Sequence, residues 1–203
     1  MDMQKLPDFK RERGLMLAGA RRIAGVDEAG RGPLAGPVAA AAVILDPHAL
    51  PAGLDDSKKL SAERREELFD AIMETASVGV ALVPPAVIDR INIRQASLLA
   101  MRRAISALAA PPDYVLIDGR DVPEKLSAPA EAIIGGDALC LSIAAASIVA
   151  KVMRDRLMIR LGEAFPLYAF GSHKGYGTQR HRAAIMAHGA SRHHRMSFAP
   201  LSA

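Results

Sequence analysis

Hydrophobic and polar positions along the chain alternate between short apolar runs and longer stretches of helical period. The apolar run 22–28 reads as a strand and 38–45 as a second. They are separated by the Gly- and Pro-rich stretch 30–37 and closed by Asp46-Pro47, which predicts a long hairpin. After Ser61, a helix N-cap by type, residues 62–73 put Leu68, Phe69, Ile72 and Met73 on one stripe, with Glu63, Glu66 and Glu67 early, as an amphipathic helix requires. Residues 78–83 are strand-like. Pro84-Pro85 ends them and opens a helix from about residue 86, with a second helical stretch over 92–108 that Pro111-Pro112 stops. Short β-rich runs follow at 114–117 and 132–134, then a long Ala-, Ile- and Val-rich helix over about 138–164 and a Gly-rich loop over 171–177. A last helix runs from the cap Thr178 to His188, with Gly189 as its stop. Residues 1–20 mix charge with small apolar residues at no stable period and read as a loosely attached arm with one helical turn.

This order of elements predicts an α/β domain: a mixed sheet that opens with an antiparallel hairpin, is flanked by helices, and carries a C-terminal helical extension. The division expected is an arm at 1–20, a main α/β body at 21–170, and a loop, helix and tail at 171–203. With half of its 203 residues hydrophobic the chain can bury its own core. A monomer is the expectation.

The single cysteine, Cys140, excludes an intrachain disulfide, suits a reducing compartment, and lies in an apolar run where a core role is expected over a nucleophilic one. Apolar runs fall short of a membrane span and the N-terminus lacks a signal-peptide core, so a cytoplasmic protein without a membrane is expected. Net charge is only +4, but a pI near 9.5 makes a polyanionic partner worth testing.

Candidate chemistry lies in the acids. Asp27, Glu28, Asp118 and Asp137 all fall at or just past predicted strand ends, the edge where open α/β sheets place their sites. Clustered there, they would repel one another unless their pKa values shift or divalent cations bind, and an all-oxygen donor set points to Mg²⁺ or Mn²⁺ over zinc. Adjacent strand residues face opposite ways, so for Asp27 and Glu28 to share a site the strand must bend or finish there. Asp27 is then the central ligand and Glu28 the peripheral one.

Each acid has a plainer reading as a surface partner, and Asp137 could simply cap the helix after it. Gly30-Arg31-Gly32 lets main-chain N–H groups and one guanidinium approach a phosphate or sugar, or else is a tight turn with a solvated arginine. Neither this turn nor 171–178 matches a dinucleotide or P-loop fingerprint. Tyr176, between two glycines, could stack on a sugar or base or tuck against its own loop. Lys58-Lys59, the helix set Lys151, Arg154, Arg156 and Arg160, and the tail set Arg180, Arg182, Arg192 and Arg195 could be solvated faces. The five histidines between 173 and 194 lack cysteine partners or a zinc spacing.

Taken together, the segments Gly25-Val26-Asp27-Glu28-Ala29-Gly30-Arg31-Gly32, Asp56-Ser57-Lys58-Lys59-Leu60-Ser61, Leu116-Ile117-Asp118-Gly119, the helix 145–155 and His173-Lys174-Gly175-Tyr176-Gly177-Thr178 resemble the motifs of type 2 ribonuclease H (ribonuclease HII), in that family's order. The resemblance runs from about residue 23 to 198. It implies an RNase H-like fold and endonucleolytic hydrolysis of RNA in RNA–DNA hybrids, with incision 5′ to ribonucleotides embedded in duplex DNA. Asp27, Glu28 and Asp118 would hold Mn²⁺ or Mg²⁺, with Asp137 completing the catalytic set. Gly30, Arg31 and Gly32 would read the 2′-hydroxyl, Tyr176 would pack on the adjoining sugar, and Lys58 would hold backbone phosphate. One departure stands out: the family places Lys-Gly-Asp-Ser at the fourth acid, where this chain has Gly135-Gly136-Asp137-Ala138. A hybrid-binding protein without catalysis and a metal-dependent phosphatase for small substrates are the rival classes.

Overall fold

A computed structural model describes residues 6–202. Among them the elements run α1 (Lys10–Leu17), β1 (Ile23–Ala29), β2 (Val38–Ile44), α2 (Ala62–Thr75), β3 (Ser77–Val83), α3 (Pro85–Ser106), β4 (Tyr114–Asp118), β5 (Ala130–Ile133), α4 (Leu141–Ala164), α5 (Phe170–His173) and α6 (Gln179–His188). The strands form one mixed sheet in the order β3-β2-β1-β4-β5. β1, β2 and β3 pair antiparallel, and β4 and β5 add in parallel on the other side of β1. The expected α/β architecture with its opening hairpin is what the chain adopts.

Both faces of the sheet are covered. One apolar cluster joins Ala41 and Val43 to α2 and α4, and the other joins Val26, Ala40 and Ala42 to α3. The four consecutive alanines at 39–42 are fully buried, and their small side chains let helices lie close on both faces of this interior strand, β2. β1 and α4 approach each other closely. A Cβ built on Gly25 would lie 2.1 Å from the Ser142 carbonyl carbon, so a larger residue there has no room. None of the helices formed by the described residues is long and apolar enough to cross a membrane.

Several local expectations change. Residues 10–17 form a helix that docks instead of trailing as a loose arm: Phe9 joins the core and Asp8 bridges Cys140 in a short parallel pairing. Glu12 is fully buried and accepts bonds from the Ser142 N–H at 2.9 Å and its hydroxyl at 2.6 Å. Glu12 thereby caps α4 from across the chain, next to the positive end of that helix's dipole. α4 accordingly starts at Leu141, later than the pattern suggested, after a 3₁₀ turn over Gly136–Ala138.

The two helical stretches after Pro84 merge into α3 across a kink at Asn92, whose backbone is left-handed and whose side chain accepts from the Gln95 N–H, restarting the helix. α5 occupies the start of the loop placed at 171–177, and Met73 is exposed although its stripe faces inward. Ser61 and Thr178 cap α2 and α6 through their hydroxyls, as their types suggested. Cys140 is buried, and burial pushes its thiol up to about 12, consistent with a packing role.

Candidate active site

β1 and β4 run parallel with Val26 opposite Ile117, which brings the next residues, Asp27 and Asp118, side by side at the carboxyl edge of the sheet. Regular pairing of β1 with β2 continues through Asp27, Glu28 and Ala29, so the strand neither bends nor finishes between the two acids as the alternation argument required. Instead the site straddles the sheet edge. Asp27 faces α4, on the same side as Gly25, while Glu28 leans over the opposite face toward α3.

Both acids nevertheless line one cleft of about 350 Å³, together with Asp118, Gly30, Arg31, Gly32, Lys58, Tyr176, Ser57, Ser147, Lys151 and Arg154. Of the nine site residues that the resemblance implies, Asp137 alone is set back from this lining. It is buried on the 3₁₀ turn, and its Oδ2 takes the Lys58 ammonium at 3.2 Å. It does not cap α4, whose N-cap is Cys140 and whose second amide goes to Glu12.

The electrostatics are those of crowded like charges. Burial first, then the charges of Glu28 and Asp118, hold the Asp27 carboxyl well above its ordinary range, against the opposing bonds from the Glu28 N–H and the Ser147 hydroxyl. The Glu28 N–H reaches Asp27 Oδ1 at 2.6 Å. Asp118 is raised as well, by burial and then by Asp137, with partial relief from the Gly136 N–H, which donates to Asp118 Oδ1 at 2.7 Å. Glu28 pairs through Oε1 with Arg31 at 3.1 Å, and its other oxygen, Oε2, is buried with no protein partner.

These residues fit a divalent cation. The donors are all carboxylate oxygens, one of them is orphaned, and their mutual repulsion is what an added positive charge would relieve. Among the described residues, no three His, Cys, Asp or Glu side chains are already drawn into a closed cluster that could hold an ion. Lys58 and Arg31 meanwhile supply positive charge to Asp137 and Glu28. Burial opposes the charge on Lys58, but Asp137 and Asp56 outweigh it and leave the ammonium raised.

Tyr176 is exposed beside the cleft and does not tuck onto its own loop. Gly30 has φ +91°, and a Cβ there would fall 1.9 Å from the Arg154 side chain, so only glycine suits this turn. Sequence reasoning missed the roles of four residues. Ser57 and Ser147 share a hydrogen bond at 2.7 Å on the cleft wall. Arg154 and Arg195, grouped with solvated faces, are almost wholly buried. A signal for Arg154 existed, because Ser147, Lys151, Arg154 and Met158 recur at helical spacing on one face of α4. Lys151 pairs with Asp155 one turn along α4, at 2.8 Å.

A sequence model of the family described as Ribonuclease HII matches residues 24–201. Ribonuclease HII of Azorhizobium caulinodans is 60% identical over 195 residues, covering 96% of this chain and 75% of that relative. The chain belongs to the ribonuclease HII family. Membership makes it a hydrolytic endoribonuclease.

The fold agrees with solved members of the ribonuclease HII group. The ribonuclease H2 of Pyrococcus horikoshii superposes with a TM-score of 0.76 at 27% identity, over 89% of this chain and 95% of that one. The RNase HII in a PCNA:RNase HII complex from Archaeoglobus fulgidus does so at 0.73 and 32% identity, over 88% and 95%.

Proposed function

We propose that the protein cuts the RNA strand of RNA–DNA hybrids and incises 5′ to ribonucleotides embedded in duplex DNA, leaving 3′-hydroxyl and 5′-phosphate ends. The observation that carries this reading is the shared cleft: Asp27, Glu28 and Asp118 line the same space as Gly30, Arg31, Gly32 and Tyr176. Carboxylates for hydrolysis thus adjoin a turn and an aromatic ring suited to a sugar.

In this reading Asp27, Glu28 and Asp118 hold Mn²⁺ or Mg²⁺, and Asp137 completes the catalytic set from behind Lys58. Two bound divalent cations would supply a water acidic enough to attack the phosphodiester and charge to stabilise the departing 3′-oxygen. The protein's own groups do the remainder. Ser147 and the Glu28 N–H keep the Asp27 carboxylate oriented. The Gly136 N–H does the same for Asp118. Gly30, Arg31 and Gly32 bring backbone up to the 2′-hydroxyl with no side chain in between, Tyr176 packs on the adjoining sugar, and Lys58 neutralises a phosphate at the rim. Residues 21–170 would then carry the acids, and residues 171–203 would carry Tyr176, α6 and the tail.

The test is a duplex with a single ribonucleotide, incubated with Mn²⁺ or Mg²⁺ and resolved on a denaturing gel. One discrete cut 5′ to the ribonucleotide is expected, and no cut with either metal would favour a binding module. Asp118→Asn should abolish cleavage while hybrid binding persists; unchanged cleavage in that variant overturns the assignment of the acids.

A further inference from the structure

The two elements that would face the sugar, the Gly30-Arg31-Gly32 turn and Tyr176, lie more than a hundred residues apart in sequence, yet one short tail segment holds both. Arg195 is fully buried, and its guanidinium donates to three carbonyls of the loop: Nη2 to Gly30 at 2.6 Å, Nη1 to Arg31 at 2.8 Å and Nε to Gly36 at 3.0 Å. Main-chain bonds reinforce the clamp, from the Arg195 N–H to Leu34 and from the Gly36 N–H to His193, each at 2.8 Å. With these carbonyls turned inward to one planar fork, the loop's backbone is fixed on its inner side and its outer side is left to the cleft. A guanidinium can do this at three acceptors in one plane; an ammonium cannot.

The neighbouring residue holds the other element. His194 and His181 are buried and meet through their Nε2 atoms at 3.1 Å, while His181 Nδ1 contacts the Tyr176 carbonyl at 2.9 Å and the Ser191 N–H donates to His194 Nδ1 at 2.9 Å. A carbonyl only accepts, so His181 Nδ1 carries the proton and its Nε2 accepts. His194 must then donate from Nε2 and accept at Nδ1, which is the role the Ser191 amide requires. The Ser191 amide, at 2.9 Å, lies nearer to His194 Nδ1 than the Ser191 carbonyl at 3.3 Å, so with both rings neutral the relay runs from the Ser191 amide to the backbone of Tyr176. Burial lowers both imidazoles, His194 to about 4, which keeps the relay uncharged at neutral pH.

Resting on the sugar-reading role given above to the turn and Tyr176, we propose that Arg195 and His194 are positioning residues through which the tail segment 191–195 sets ribose selection, although neither faces the cleft.

A lone ribonucleotide offers one sugar for the turn and Tyr176 to read, whereas a uniform hybrid offers a ribose in every register. Misplacing both elements should therefore penalise the lone ribonucleotide more. The test measures kcat and KM of the full chain with Mn²⁺ on a duplex containing one ribonucleotide and on a uniform hybrid, for the parent protein, Arg195→Lys, Arg195→Gln, His194→Gln and Tyr176→Ala. On the single-ribonucleotide duplex, kcat should fall on the order of 10- to 100-fold in the tail variants, the scale of a roughly 1 Å misplacement. The uniform hybrid should lose at least tenfold less, and Mn²⁺ binding measured by calorimetry should stay within about twofold of the parent. Arg195→Lys, which keeps the charge but not the fork, should not restore selection.

Equal losses on both substrates that follow the fraction of folded protein would assign these residues to stability alone and overturn the proposal, as would unchanged selection. Should Arg195→Gln fail to fold, Arg195→Lys and His194→Gln decide the matter. If Tyr176→Ala leaves selection untouched, the sugar-reading assignment itself fails; if it shifts selection while the tail variants do not, only the role of the tail is refuted.

Discussion

Asp27→Asn should make the metal-free protein more stable and blind to divalent cations. Asp27 is 4% exposed, beside two further carboxylates whose charges, after burial itself, hold its pKa well above the ordinary value. In the unfolded chain an aspartate loses its proton near pH 4, whereas folded Asp27 keeps its proton to higher pH. Between those two values the folded state binds more protons, so stability falls as pH rises and stays lower above the folded pKa. Two carboxylates about 4 Å apart repel by about 4 kcal/mol at an effective dielectric near 20. Relief of even a quarter of that, about 1 kcal/mol, raises the melting temperature of a chain this size by about 2–4 °C. The Asn amide oxygen can still accept from the Glu28 N–H, so little else is lost.

Cation binding acts in the opposite sense. At a hundred times its dissociation constant a ligand stabilises by about 2.7 kcal/mol, which is about 5–10 °C here. The assay is calorimetric melting at pH 4.5 and 7.5, in chelator and in excess Mn²⁺. Asp27→Asn should melt higher than the parent in chelator at pH 7.5, should lose that advantage at pH 4.5, and should not respond to Mn²⁺. A variant that melts lower in chelator and still gains several degrees from Mn²⁺ would refute the argument.

Gly25→Ala should cost about 3 kcal/mol or more by driving β1 from α4, because the added methyl meets backbone that cannot swing aside; a melting temperature within 2 °C of the parent would contradict the close approach. Glu12→Ala should lower stability by about 2 kcal/mol, or about 4–8 °C, through loss of two bonds to Ser142, with cleavage below the melting range nearly unchanged. Lys58→Ala should make the salt dependence of hybrid binding shallower by about one unit of log–log slope, and an unaltered slope would confine Lys58 to its pairing with Asp137.

What could be read in advance was local. The hairpin of β1 and β2, the capping hydroxyls of Ser61 and Thr178, and the acids at the ends of β1 and β4 follow from period, turn chemistry and residue type within a few positions. The docking of α1 was hidden because its charged sequence looks solvated, while the decisive acid, Glu12, finds its partner 130 residues later. Arg154 and Arg195 were hidden likewise: a periodic pattern counts arginine as polar, and their burial is tolerable only because Ala35, Pro37, Gly30, Arg31 and Gly36 present carbonyls to them from far upstream. The alternation rule applied to Asp27 and Glu28 was sound, but the inference that the strand must end there was not. A cleft that wraps around a sheet edge can collect side chains from both faces.

That wrapping gives α4 a central place. Gly25 and Asp27 lie on the same face of β1, and α4 meets them in order, Ser142 and Ile143 at Gly25 and Ser147 at Asp27. Two turns further along, Arg154 donates to the Pro37 and Ala35 carbonyls of the loop that carries the Gly30-Arg31-Gly32 turn. One rigid helix therefore spaces the acids from the turn, and the glycine at position 25 fixes how deeply that helix sits. The tail completes the arrangement from the other side, through Arg195 on the same loop. The acids are held by Ser147 and Gly136 and the turn by Arg154 and Arg195, so under the roles proposed for them hydrolysis and sugar selection would depend on different neighbours. On that proposal, selection should weaken when the tail is altered while the acids keep their geometry, whereas displacement of α4 should damage both together.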